Sequence, residues 1–259
     1  MNSMSTACMP SPERTLGLIR SPREAPDHSN DALAGVLLAS LGHDLRTRLT
    51  VIGGAASNLR EARLSADDRC EQSDLILTEV ARLNWLLQNI LEIGRIDSRA
   101  TAADRQWADP EDVIIAARRL VEHVLQEHPL NVSAQLDSPV RLDVRVTATA
   151  LAHLLENAAQ YSPASSPIHV IVRRTQDEFV IQVRDHGPGI PQRDLPHLFQ
   201  RFYRGATAKR IRPGTGLGLW ITERLLAVQN GRVWAENCPD GGARFTIAVP
   251  TCVRQRACV

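Results

Sequence analysis

No two cysteines in this chain are spaced as C-x-x-C. The five present, Cys8, Cys70, Cys238, Cys252 and Cys258, are scattered and odd in number, which argues against a disulfide framework and against a zinc site. They read as reduced thiols of a cytosolic protein. An excess of one charge is lacking as well: 30 Lys and Arg face 29 Asp and Glu, a net charge of +1. That balance leaves no field for coating nucleic acid or an anionic membrane, so any charged partner is recognised by a local patch. Long hydrophobic runs are also missing. Stretches such as Leu33 to Leu41 fall well short of the roughly 20 residues that cross a bilayer, which predicts no membrane span. The first 30 residues carry Pro10, Pro12, Pro22 and Pro26 without the apolar core of a signal peptide, and read as a flexible leader.

What is present divides the 259 residues into a helical part and a mixed part. From Leu33, the apolar residues Leu37, Leu41, Leu45, Leu49, Ile52, Ala56 and Leu59 recur every three or four positions, the stripe of a long amphipathic helix. Ser65-Ala-Asp-Asp68 then has the form of a capping box. Behind it, Ile76, Val80, Leu83, Leu87 and Ile90 follow the a/d register of a coiled-coil seam. Two helices joined by a short turn make a hairpin over residues 31–100, and one hairpin alone leaves much apolar stripe uncovered. Pairing with a second copy into a four-helix bundle covers it, so a homodimer is expected.

Polar residues from Thr101 to Gln106 mark the boundary, and Asp109-Pro110 supplies an N-cap followed by proline at the first helical position. Helical periodicity spans 111–127, 147–160 and the apolar run that ends near Gln229. Period-two segments at 140–144, 168–172, 179–183, 232–235 and 245–249 read as strands. The expected class is therefore α plus α+β: a helical hairpin followed by an α/β sandwich over 101–251, with a tail at 252–259.

Four groups of residues invite chemistry. His43 falls roughly 160° from the centre of its helix's apolar stripe, so it faces solvent as a largely neutral imidazole with a free lone pair. Asp44 is adjacent, and Thr47 lies one turn on. Asp185-His-Gly-Pro-Gly189 follows a strand, and its glycines allow a backbone to approach a ligand closely. Gly214-Thr-Gly-Leu-Gly-Leu219 opens a helix and presents free amides of the kind that bind phosphate, although no Walker Gly-Lys-Ser/Thr occurs. Arg201, Arg204, Lys209, Arg210 and Arg212 lie between the two and suit a mobile lid over polyphosphate. Asn157, next to Glu156, offers an oxygen of the type Mg²⁺ prefers.

Taken together these residues resemble the sensor histidine kinases of two-component systems. Leu41-Gly-His-Asp-Leu-Arg-Thr47 resembles the phosphoacceptor box, and Leu154-Leu-Glu-Asn-Ala158 with Tyr161 resembles the N box. Asp185 to Gly189 resembles the G1 box, Leu198-Phe-Gln-Arg-Phe202 the F box, and Gly214 to Leu219 the G2 box. The five stand in family order over roughly 33–250, worded most like the potassium-responsive branch. The resemblance implies a dimerisation and phosphotransfer hairpin followed by a Bergerat-type ATP-binding domain. It implies that Asp185 binds the adenine amino group, that Asn157 holds Mg²⁺, and that Gly187, Gly189, Gly214, Gly216 and Gly218 shape the cleft and lid. Tyr161, Arg204, Lys209, Thr215 and Leu217 complete the expected ATP site. His43 takes the γ-phosphoryl group, with Asp44 as base or orienter, and passes it to an aspartate of a response regulator. Thr47 positions water for the reverse, phosphatase, reaction.

The chain departs from the pattern in four ways. Arg48 replaces the usual proline, so the helix keeps its amide bond near the site where bending gates the family's activities. His153 stands where the first N-box asparagine is usual, a poorer ligand for Mg²⁺, and Gln160 where a lysine is usual. Weaker nucleotide binding is expected to follow. The leader is too short for a sensing region, so input is expected from a separate sensor protein. The competing readings are a degenerate, dimeric nucleotide-binding or phosphotransfer scaffold and an ATPase of the wider Bergerat group.

Overall fold

The computed structural model describes residues 29–61, 64–97, 103–134, 138–175, 177–206, 208 and 215–251, and the side chains of 29–41, 43, 44 and 97 are outside that description. Residues 1–28 of the expected leader, the tail, Lys209, Arg210, Arg212 and Gly214 lie outside the described residues, and Ser29 and Asn30 belong to the first helix. Two long helices, α1 (Ser29–Asn58) and α2 (Ala66–Asp97), form the hairpin. The turn between them is closed by the capping box: the Ser65 hydroxyl accepts from the Asp68 amide at 3.0 Å, and the Asp68 carboxylate accepts from the Ser65 amide at 3.3 Å. The expected seam is split. Ile76, Leu83 and Ile90 are half-buried, whereas Val80 and Leu87 remain exposed alongside Leu49, Leu77 and Leu91.

The second part is built from β1 (Gln106–Ala108), α3 (Pro110–Leu120), α4 (Glu122–Leu125), β2 (Leu130–Ala134), β3 (Val140–Leu142), α5 (Val144–Tyr161), β4 (Ile168–Arg174), β5 (Glu178–Arg184), α6 (Gly218–Val228), β6 (Arg232–Asn237) and β7 (Ala243–Pro250). Asp109 caps α3 by accepting from the Glu111 amide at 3.0 Å, and Pro110 opens the helix. Asp143 caps α5 in the same manner through the Val146 amide. That cap ends the strand expected over 140–144 at Leu142 and makes Val144 helical. The helix expected over 111–127 is broken at Val121, whose ψ of 20° departs from helical geometry.

Five strands form one sheet in the order β2-β4-β5-β7-β6, parallel only between β2 and β4, while β1 and β3 pair as a separate antiparallel ribbon. Every second residue of β4 (Ile168, Val170, Val172) and of β5 (Phe179, Ile181, Val183) is fully buried. These pack with Phe245, Ile247 and Val249 of β7 into one core with Leu151, Leu154, Leu155 and Ala158 of α5. A second cluster joins Val146 to Leu217, Trp220, Ile221 and Leu225, and Ile93 and Ile96 of α2 pack against it. Among the described residues no helix is long and apolar enough to cross a membrane.

Candidate functional site: a glycine-lined cleft beside the hairpin

The cleft lies where the ends of α5, β5 and α6 converge, and α2 closes its far wall. Asp185 anchors one end. Leaving β5, it is almost fully buried, and its Oδ1 accepts from the amides of Gly187 and Ala243, each at 2.9 Å. Burial raises the Asp185 carboxyl above the usual carboxylate range, and the two amide hydrogen bonds oppose that rise. Both amides bond Oδ1. Gly187 passes so close to the end of α5 that a Cβ there would sit 2.8 Å from the Tyr161 carbonyl oxygen.

At the other end the loop before α6 is pinned by paired left-handed residues. Gly216 has φ +68°, Phe202 has φ +66°, and the Phe202 amide donates to the Gly216 carbonyl at 3.1 Å. A Cβ on Gly216 would also meet the Phe202 carbonyl carbon at 2.8 Å. The segment resembling the F box is thereby tied to the start of α6.

The cavity so formed measures about 460 Å³, within the range of small-ligand sites. Of the expected site residues, Asn157, Tyr161, Asp185, Gly187, Gly189, Arg204, Thr215, Gly216 and Gly218 all line it. Leu217 does not: it is buried in the cluster around Trp220, because α6 begins directly after it and turns its side chain inward. Arg204 donates to the Ala208 carbonyl at 2.8 Å. Arg201 lies over the Trp220 ring, 4.8 Å from its centroid, which holds it to the fold. On α1, Thr47 is exposed, and the side chains of His43 and Asp44 are outside the described residues.

Sequence reasoning missed the wall supplied by the hairpin. Arg48, Arg82, Trp85 and Asn89 line the same cavity. Trp85 is buried and donates from Nε1 to Glu156 Oε2 at 2.8 Å, with its ring 4.7 Å from that of His153. Arg48 reaches Glu79 at 3.0 Å, and Glu79 also pairs with Arg82. Further along, Glu92 bonds Arg145 of α5 at 2.9 Å. Burial raises the Glu156 carboxyl, opposed by its hydrogen bond from Trp85. Burial pulls His153 down to about 3, so its ring is neutral at pH 7.

The donor chemistry suits a nucleotide. A buried carboxylate with a free oxygen faces one end, and helix-start amides and an arginine face the other. Residues 34–99 match the family described as His Kinase A (phospho-acceptor) domain, and residues 142–252 match that described as Histidine kinase-, DNA gyrase B-, and HSP90-like ATPase. The signal transduction histidine-protein kinase AfsQ2 of Streptomyces coelicolor is 37% identical over 227 residues, covering 82% of this chain and 41% of that protein. The sensor protein KdpD of Escherichia coli is 33% identical over 224 residues, covering 85% of this chain and 25% of its own length. The chain thus spans less than half of either relative. Among solved structures, the Acinetobacter baumannii histidine kinase AdeS superposes with a TM-score of 0.56 at 22% identity, over 80% of this chain and 97% of that one. At that identity the match shows the fold alone. With its phosphoacceptor hairpin and ATP-binding domain in family order, the chain belongs to the sensor histidine kinases.

Proposed function

We propose that this chain is an ATP-dependent protein-histidine kinase: it phosphorylates its own His43 from ATP and passes the phosphoryl group to an aspartate of a response regulator. One observation carries the reading: nine of the expected nucleotide-site residues line a single cavity, on the same chain as the helix that holds His43. Asp185 Oδ2, free of the two amides that hold Oδ1, accepts from the exocyclic amino group of adenine. Arg204, Thr215 and the backbone at the start of α6 receive the polyphosphate. A ring nitrogen of His43 attacks the γ-phosphorus; a P–N bond forms as the P–O bond to ADP breaks, and Asp44 orients the ring or takes its proton. Positioning and charge neutralisation supply most of the acceleration. Asn157 holds a divalent cation, nominally Mg²⁺, which neutralises charge on the phosphates. Thr47 serves the reverse, phosphatase, reaction. Dimerisation through the hairpin and a cytoplasmic location belong to the same proposal.

The test is incubation with γ-labelled ATP and a divalent cation. Acid-labile, base-stable label that disappears in His43→Ala is the expected result. Nucleotide binding without label refutes the kinase in favour of a scaffold, and free phosphate without labelled protein refutes it in favour of a simple ATPase.

A further inference from the structure

His153 is a buried ring with nothing to bond. Its side chain is wholly inaccessible, and neither Nδ1 nor Nε2 has a hydrogen-bond partner. Buried imidazoles normally satisfy at least one nitrogen, and leaving a buried polar atom unsatisfied is unfavourable. The indole N–H of Trp85, whose ring lies against it, goes to Glu156 instead. The orphaned ring also lines the nucleotide cavity.

Its neighbours on α5 give the vacant lone pair a purpose. His153, Glu156 and Asn157 occupy positions i, i+3 and i+4, one face of the helix, and all three line the cavity. Glu156 Oε2 is 4.0 Å from His153 Nδ1. The recurrent helical metal-binding pair runs Glu-x-x-His; here the order is reversed, and both groups still line the cavity from one face of α5. Among the described residues no cluster of three or more His, Cys, Asp or Glu gathers here, so a cation held by these side chains must complete its shell with phosphate oxygens and water.

We propose that His153 is a direct ligand of the divalent cation that enters with the nucleotide, and that this nitrogen donor shifts the site's preference from Mg²⁺ towards a later first-row ion such as Co²⁺. The proposal rests on the reading of the cleft as an ATP site. Mg²⁺ demands a shell of hard oxygens, whereas imidazole nitrogen suits first-row transition ions, so a mixed nitrogen and oxygen donor set shifts the preference. Trp85 covers this face of α5, so loading the cation requires the indole to give way.

The decisive measurement is pulsed electron paramagnetic resonance on the full chain with Mn²⁺ and a non-hydrolysable ATP analogue. Directly coordinated imidazole gives a ¹⁴N coupling to Mn²⁺, and labelling the protein with ¹⁵N-histidine converts it while leaving the adenine nitrogens unchanged. The expected result is a label-sensitive coupling that is lost in His153→Asn. Titration of the analogue is expected to show affinity on the order of tenfold higher with Co²⁺ than with Mg²⁺, a ratio that collapses in the variant. Bound analogue with no label-sensitive coupling overturns the proposal, and the labelled wild-type protein decides this even if the variant fails to fold. Absence of nucleotide binding with either cation overturns the ATP reading itself.

Discussion

At the scale of single residues, Asp185 joins the fold to the ligand through one carboxyl group. Its Oδ1 is consumed by the Gly187 and Ala243 amides, which leaves Oδ2 for adenine. Because burial raises its pKa, the acceptor is lost on acidification at a higher pH than an exposed aspartate would show. Adenosine carries no titrating phosphate and isolates the effect. Its affinity is expected to fall as the pH drops through this raised value, whereas Asp185→Asn, whose amide nitrogen cannot accept, should bind weakly at every pH. Stability runs the opposite way. A carboxyl whose folded pKa is raised favours the fold most at low pH, and that contribution is lost as the pH rises through the folded value. Asp185→Asn keeps an oxygen for both amides and should therefore melt no lower than the wild type at pH 7. A clear loss of thermal stability in calorimetry would refute this balance. Asp185 and its glycines were legible in the sequence because the chemistry is local. Trp85 was not, since a residue 71 positions from its partner Glu156 leaves no local pattern. Leu217 was misplaced for a related reason: a motif specifies backbone, and only the path into α6 decides which way that side chain turns.

At the scale of elements, the strands that bury one face were readable, because β4 and β5 alternate in sequence as they do in exposure, whereas β7 is buried on both faces from Phe245 to Val249. β2 was not readable. It is an edge strand, four of its five residues exposed, paired on one side only with β4, and three-residue β1 is too short for any period to show. Capping signals at Ser65 and Asp109 located helix starts correctly, since a cap is a local bond. Arg48 shows how an element absorbs a substitution. Where relatives of this kind usually place proline, the guanidinium here crosses from α1 to Glu79 on α2. Arg48→Pro removes a mid-helix hydrogen bond and this ion pair together, leaving Glu79 to Arg82. The expected cost is about 3 kcal/mol within the hairpin, measurable as a lower chemical-denaturation midpoint monitored by helical circular dichroism. An unchanged midpoint would mean that α1 is already bent there.

At the scale of the whole molecule, a single chain leaves the hairpin unfinished. Leu49, Leu77 and Leu91 are each more than half exposed, and Leu77 and Leu91 are two heptads apart on the same side of α2. A second copy that buries this stripe gives the expected dimer. Sedimentation of the full chain should therefore report twice the 28.6 kDa of one chain, and Leu77→Glu with Leu91→Glu should reduce it to one. A wild-type chain that sediments as a monomer at micromolar concentration would remove the four-helix bundle.

The attachment of α2 to the ATP-binding domain also constrains motion. Trp85, Glu92, Ile93 and Ile96 touch that domain at successive levels, and at 100° per residue they fall on one side of the helix, within roughly 100° of one another. Contacts gathered on one side of a helix share one lever arm. Sliding α2 along its length would drag them past their partners in turn, but twisting it by a fraction of a revolution would lift all four away together. A twist of α2, more than a slide, is therefore the motion that would part the hairpin from the nucleotide lobe.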